Sequence, residues 1–106
     1  MNIFDKILSS MKNQEDKIFS CEEIIDIVID YYPDTNRSSV IPSDYCYNMI
    51  NKGIKFRKDN RLFENHGGEY RYLGLNYNYN GKIYWKGESV GEWKNGEFSF
   101  WEYVGK

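Results

Sequence analysis

Apolar side chains follow helical spacing through the first half of the chain and alternate with polar ones through much of the second, with the change of period falling near Ile54. Ile3, Phe4, Ile7, Leu8 and Met11 make one apolar stripe behind Asn2, a good capping residue, and predict a helix over 3–12. A polar connection over 12–18 comes next. Ser20 and Glu23 have the spacing of a capping box, with Phe19 placed to staple onto Ile24, so a second helix is expected over 21–32. Its Ile24, Ile25, Ile27, Val28 and Ile29 leave only Glu22, Glu23, Asp26 and Asp30 as a polar ridge, which makes it the central post of the core. Pro33 ends it.

After a turn at 34–36, Pro42 suits the first turn of a third helix, Ser43 or Asp44 can cap it, and Gly53 sits where a left-handed residue would close it. Tyr45 with Met49 and Cys46 with Ile50 would form its inward stripe, leaving Tyr47, Asn48, Asn51 and Lys52 outward. Ile54 and Phe56 alternate with Lys55 and Arg57 as a short strand or an extended exit from the third helix, and 58–60 is a turn. Residues 61–64 and 70–73 then pair as a hairpin over Gly67 and Gly68. This order predicts an α+β fold, a winged helix-turn-helix of three helices and a β-hairpin wing.

Beyond Gly74 the pattern turns to aromatics and glycines. Asn80-Gly81 and Asn95-Gly96 are two-residue hairpin signals, Gly87 and Gly91 mark further turns, and 82–86 and 97–103 read as strands of an antiparallel meander. The expectation is a single domain over 1–106, with a helical part at 1–53, a wing at 54–74 and an aromatic β-meander at 75–106.

The formal charge of −2 is unevenly distributed. Residues 1–35 carry three lysines against eight acids, residues 36–74 carry seven basic residues against four acids, and the remainder balances. Cys21 and Cys46 lie in apolar patterns without metal or disulfide spacing and read as reduced core thiols. No apolar run is long enough to span a bilayer and no signal pattern opens the chain, so a cytoplasmic, non-membrane protein is expected.

Catalytic chemistry is hard to assemble from these residues. His66 stands beside two glycines at the predicted wing tip, a turn position rather than that of a base, and Cys21, Cys46 and His66 lack zinc-site spacing. No glycine run opens a helix behind a strand to cradle phosphate. The expectation is a protein that is not an enzyme and needs no cofactor or metal. Binding is favoured instead. In a winged helix the third helix enters the major groove, where Asn48, Asn51 and Lys52 can read bases and Tyr47 can contribute an aromatic surface. Arg37, Arg57, Lys58, Arg61 and Arg71 can hold phosphates.

The stretches Ser39-Val40-Ile41-Pro42-Ser43-Asp44-Tyr45-Cys46-Tyr47-Asn48, Leu62-Phe63-Glu64 and Tyr70-Arg71-Tyr72-Leu73-Gly74 together resemble a small bacterial and phage winged-helix-like family, found alone or beside HNH and other restriction-type nucleases. The resemblance implies a DNA-associated or defence-associated role and transfers no catalytic residue. The expected partner is therefore duplex DNA. The alternative is a protein-interaction module, such as a phage inhibitor of a host nuclease of the anti-CRISPR kind, in which the acidic ridge or the C-terminal aromatics contact a protein.

Overall fold

The cap signals place the two α-helices. In the computed structural model, which describes residues 1–52 and 54–101, α1 spans Ile3–Ser10 and α2 spans Cys21–Tyr31. Asn2 Oδ1 accepts from the Asp5 N–H at 2.8 Å and starts α1, which buries Ile7 and lays Ile3, Phe4 and Leu8 against the same core. Both halves of the capping box form at α2. Ser20 Oγ accepts from the Glu23 N–H at 3.1 Å, and Glu23 Oε1 accepts from the Ser20 N–H at 2.7 Å. Ser20→Ala is expected to destabilise the chain by roughly 0.5–2 kcal/mol, read from urea melts, because it leaves a helix-start N–H group without its partner.

A strand that no sequence pattern announced, β1 at Ile18–Ser20, occupies the end of the supposed polar connection. It pairs antiparallel with β3, Phe19 opposite Tyr70. Three residues are too few to show a period, and only their partner strand makes them β.

The expected winged helix-turn-helix is overturned at its third helix. Residues 38–52 contain only the end of one 3₁₀ turn, Arg37–Ser39, and a second, Pro42–Tyr45. At Cys46 the backbone becomes extended, with φ −93° and ψ 144°, and it bends at 47–48 before a second bridge at Met49. Its hydrogen bonds go sideways to two strands. The Leu62 N–H donates to Tyr45 O (2.6 Å) and the Tyr47 N–H to Phe63 O (2.7 Å), while the Tyr84 N–H donates to Asn48 O (3.0 Å) and the Ile50 N–H to Tyr84 O (2.8 Å). Parallel bridges at Cys46–Phe63 and Met49–Tyr84 result. A backbone whose donors and acceptors are taken by neighbouring strands cannot also make the i→i−4 ladder, so there is no recognition helix. Tyr45, Cys46 and Tyr47 are consecutive and all buried, the pattern of a strand covered on both sides rather than of one helical stripe. Gly53, the supposed cap, lies outside the described residues.

Residues 54–57 form no strand, and Lys58–Asn60 is a 3₁₀ turn. The expected hairpin forms with shifted bounds, β2 (Phe63–His66) pairing with β3 (Glu69–Tyr72) over Gly67 and Gly68 at φ +60° and +93°, so His66, expected in the turn, is a strand residue opposite Glu69. With β1 it makes a sheet of order β1-β3-β2. The second sheet is the antiparallel meander β4 (Gly81–Trp85), β5 (Glu88–Lys94) and β6 (Glu97–Phe100). Asn95-Gly96 turns β5 into β6 with φ +52° and +79°, as its sequence requires. The β4–β5 turn falls at Lys86-Gly87 rather than Asn80-Gly81, whose glycine instead opens β4. Gly91, read as a turn, lies within β5, where a Cβ would stand 2.5 Å from the Ser99 carbonyl oxygen of β6. The last residues of the expected final strand, Glu102 and Tyr103, lie outside the described residues.

Two apolar cores result. The first joins α1, α2 and the β1-β3-β2 sheet around Ile7, Met11, Ile24, Val28 and Phe63. The second gathers Tyr47, Leu73, Tyr79, Ile83, Val90 and Trp93 under the meander. The extended segment serves both, with Tyr45 and Cys46 in the first and Tyr47 in the second.

Candidate functional site

Tyr47 and Arg61, two of the residues expected to face DNA, are each only 1% exposed. The Tyr47 ring stacks on Tyr79 (centroids 5.1 Å) and meets the edge of Trp93 at 5.0 Å. Its hydroxyl donates to Gly74 O at 2.7 Å and accepts from the Tyr77 N–H at 3.0 Å, and the Trp93 indole donates to Tyr47 O at 2.7 Å. Arg61 lies behind the extended segment. It donates to Asp44 O (2.8 Å), Cys46 O (3.0 Å) and Asn60 Oδ1 (2.8 Å), and its guanidinium sits 4.4 Å from the Phe56 ring centroid. Burial pulls Arg61 down to about 10, against the opposing pull of nearby groups that include Asp44.

The remaining expected contacts are dispersed and mostly engaged. Asn48 imitates a strand partner, donating to Asn65 O (2.8 Å) and accepting from the Asn65 N–H (2.9 Å). Asn51 donates to Ser43 Oγ (2.9 Å) and Asp44 Oδ1 (2.8 Å). Arg37 lies across the α2 ridge, 2.8 Å from Glu22 and 3.0 Å from Asp26, and those two acids hold its pKa above its ordinary value. Arg57 pairs with Asp59 at 3.1 Å, Lys58 with Glu97, and Arg71 with Asp16 at 2.7 Å. Lys52 is exposed. Each of the other basic candidates on the surface thus faces an acid, which cancels its field at the distance of a phosphate backbone.

A polar cluster ties the first sheet to the connection that leads into β4. Glu64 on β2 accepts from the Tyr79 hydroxyl at 2.6 Å, lies 2.7 Å from His66 Nε2, and has Arg71 at 3.7 Å. Burial pushes this carboxyl up, but the hydrogen bonds from Tyr79 and His66 outweigh it and hold Glu64 below the usual carboxylate range. Burial, with the same carboxylate as acceptor, drives the Tyr79 phenol upward. Glu64 is thereby favoured as the carboxylate and Tyr79 as the phenol, which suits a fixed clasp between β2 and the connection before β4 better than proton transfer. Cys46 is equally inert, since burial pushes its thiol up while Sγ lies 3.6 Å from Pro42 O. Among the described residues, no three His, Cys, Asp or Glu side chains converge on a metal position.

What the surface does offer is aromatic. Tyr84 is 44% exposed, Trp85 41% and Phe100 38%, all on the meander, with Lys86 Nζ 4.9 Å from the Trp85 ring centroid. Register explains part of this. Ile83 and Trp93 turn inward, the Lys82, Glu92 and Ser99 row takes the opposite face, and a register shift between Ile83 and Tyr84 breaks the alternation where the exposed Tyr84 and Trp85 follow. Phe100 shares the Ile83 row and packs on Phe56 and Phe98. The alternation about Ile83 carried that signal, but the sequence alone could not separate covered aromatics from exposed ones.

These features define a small α+β domain of two three-stranded sheets joined by a buried extended segment, with surplus aromatic surface on its C-terminal sheet. The chain belongs to the DUF7225 family, described as a domain of unknown function, whose pattern matches residues 2–100. It is similar to the uncharacterized protein YnaC of Bacillus subtilis, 41% identical over 103 residues that cover 91% of this chain and 38% of YnaC. The chain thus spans well under half the length of that relative. No solved structure matches it. A bacterial family is what the sequence resemblance implied in its coarser form. Among the described residues, no helix is long and apolar enough to cross a membrane.

Proposed function

We propose that this domain is a protein-interaction module that docks on a second polypeptide surface through the aromatics of its C-terminal sheet. The carrying observation is the exposure of Tyr84, Trp85 and Phe100 on one small sheet, since large aromatics dominate the binding energy of protein interfaces. The acidic ridge of α2 is a poorer candidate because Arg37 already bridges Glu22 and Asp26. A segment that also occurs within a longer relative fits a module that works against neighbouring polypeptide. A host nuclease is the partner class named by the protein-interaction alternative of the sequence reading.

The test is capture of partners from a bacterial lysate, followed by a binding titration with the purified candidate. Trp85→Ser combined with Tyr84→Ser is expected to weaken binding by about thirtyfold or more, the loss of one interface hot spot, while far-UV circular dichroism stays unchanged. Salt-sensitive binding of a randomised duplex pool in fluorescence anisotropy, unaffected by this double substitution, would replace this reading with the DNA one.

A further inference from the structure

A cleft of about 510 Å³ opens between the start of α1 and residues 54–60, remote in sequence from the C-terminal sheet and independent of its docking role. Its volume falls in the roughly 300–1,000 Å³ range of small-molecule sites. Ile3, Phe4, Tyr45 and Ile54 supply apolar lining, with the Phe4 and Tyr45 rings 5.6 Å apart and tilted by 52°. Rings at that distance pack on each other and make one apolar wall of the cleft, against which an aromatic or branched side chain can lie.

The polar groups around it are of two kinds. Asn2 and Asn60 are engaged by the fold itself: Asn2 caps α1, and Asn60 donates to Lys55 O while accepting from Arg61 Nε. Arg57 and Asp59 are different. They meet only through Arg57 Nε and Asp59 Oδ1 at 3.1 Å, and both side chains are largely exposed. Among the described residues, neither the two Arg57 Nη groups nor the second Asp59 oxygen makes a hydrogen bond. The rim thus presents a planar donor fork and a carboxylate side by side over an apolar opening. An exposed pair of this kind holds itself together weakly and yields readily to a better partner.

We infer that the cleft binds a free α-amino acid with an aromatic or large aliphatic side chain. The ligand's carboxylate takes the Arg57 Nη groups, its ammonium takes Asp59, and its side chain lies against the wall that Phe4, Tyr45 and Ile54 line. The complementarity is specific. A zwitterion laid antiparallel on an ion pair satisfies both charges at once, whereas a simple carboxylate meets Asp59 as a like charge and a simple amine meets Arg57 as one.

The experiment titrates the full chain with L-phenylalanine by calorimetry and heteronuclear NMR, using 3-phenylpropionate and phenethylamine as probes that each lack one charge. Saturable binding is expected, with shifts centred on Phe4, Tyr45 and Ile54 and each probe at least about tenfold weaker than the amino acid. Arg57→Gln and Asp59→Asn are each expected to weaken L-phenylalanine by about tenfold or more, and because both side chains are exposed the fold should survive. Absence of shifts at about 10 mM ligand would overturn the inference, as would equal binding of the three compounds or shifts confined to the C-terminal sheet. Loss of partner docking in the Trp85 and Tyr84 variant, with amino-acid binding intact, would show the two surfaces to be separate.

Discussion

Replacing Arg61 by alanine is expected to destabilise the chain by about 3–5 kcal/mol, enough to unfold much of a domain of ordinary stability. Its guanidinium satisfies the main-chain carbonyls of Asp44 and Cys46 and the Asn60 amide oxygen, at distances between 2.8 and 3.0 Å, from a site only 1% exposed. Truncation takes a buried donor away from the Asp44 and Cys46 carbonyls and from Asn60 Oδ1, which keeps the Arg57 N–H at 3.3 Å, and it removes the cation from the face of Phe56. Arg61→Lys should recover only part of the loss, because one ammonium on a flexible stem cannot reproduce a three-way planar fork. Urea unfolding followed by tryptophan fluorescence measures both. A midpoint for Arg61→Ala close to that of wild type would show that the buried fork is not a support of the fold. Arg61 was also expected to hold phosphate, so a stability loss would explain any weakening of a partner without invoking DNA.

Tyr47→Ala is expected to cost a similar amount, about 3–5 kcal/mol, by opening a cavity where Tyr79 and Trp93 now pack. Tyr47→Phe separates the two contributions. It keeps the ring and removes only the hydroxyl that donates to Gly74 O and accepts from the Tyr77 N–H, so about 1–3 kcal/mol should be lost. The expected order in thermal melts is wild type, then Tyr47→Phe, then Tyr47→Ala. If the phenylalanine variant melts with wild type, the hydroxyl bridge contributes nothing and ring packing alone holds the second core.

Both predictions concern residues that the sequence pattern places on the surface, Tyr47 on the outward face of a helix and Arg61 on the wing. The error has one source. Read with a period of 3.6, the stretch from Tyr45 to Ile50 resolves into an inward stripe and an outward set, but the same residues equally suit a strand covered on both sides. Pro42 and Asp44, read as the start of a helix, open only a four-residue 3₁₀ turn, and no side chain caps it. The path of the chain beyond that turn is decided by Phe63 and Tyr84, which lie far along the chain and take the segment's hydrogen bonds. The same holds for Arg61. An arginine near a predicted wing reads as surface, and only the carbonyls brought to it by residues 44–46 make burial tolerable.

The sites were less legible than the fold. The cleft beside α1 draws on residues from 2 to 60, and its ion pair becomes a rim only because α1 packs across it. Neighbouring Arg57 and Asp59 were visible as a charged turn, but nothing local marks an apolar opening beneath them. The exposed aromatics were visible as composition and not as surface, since 19 aromatic residues fill a core and an exterior alike until the pairing of β4 with β5 sorts them.

The sequence by itself determined the parts whose interactions close within a few residues. These are α1 with its Asn2 cap, α2 with the Ser20–Glu23 box, the Gly67-Gly68 hairpin and the Asn95-Gly96 turn of the meander. Their energies depend on neighbours three or four positions away, so local chemistry suffices. Only the tertiary structure decided that 46–50 is a strut between two sheets, that β1 exists, that Gly91 admits a neighbouring strand, and that Arg61 and Tyr47 are interior. Each depends on a partner outside its own element, and a chain read locally carries no record of which other backbone will take its hydrogen bonds.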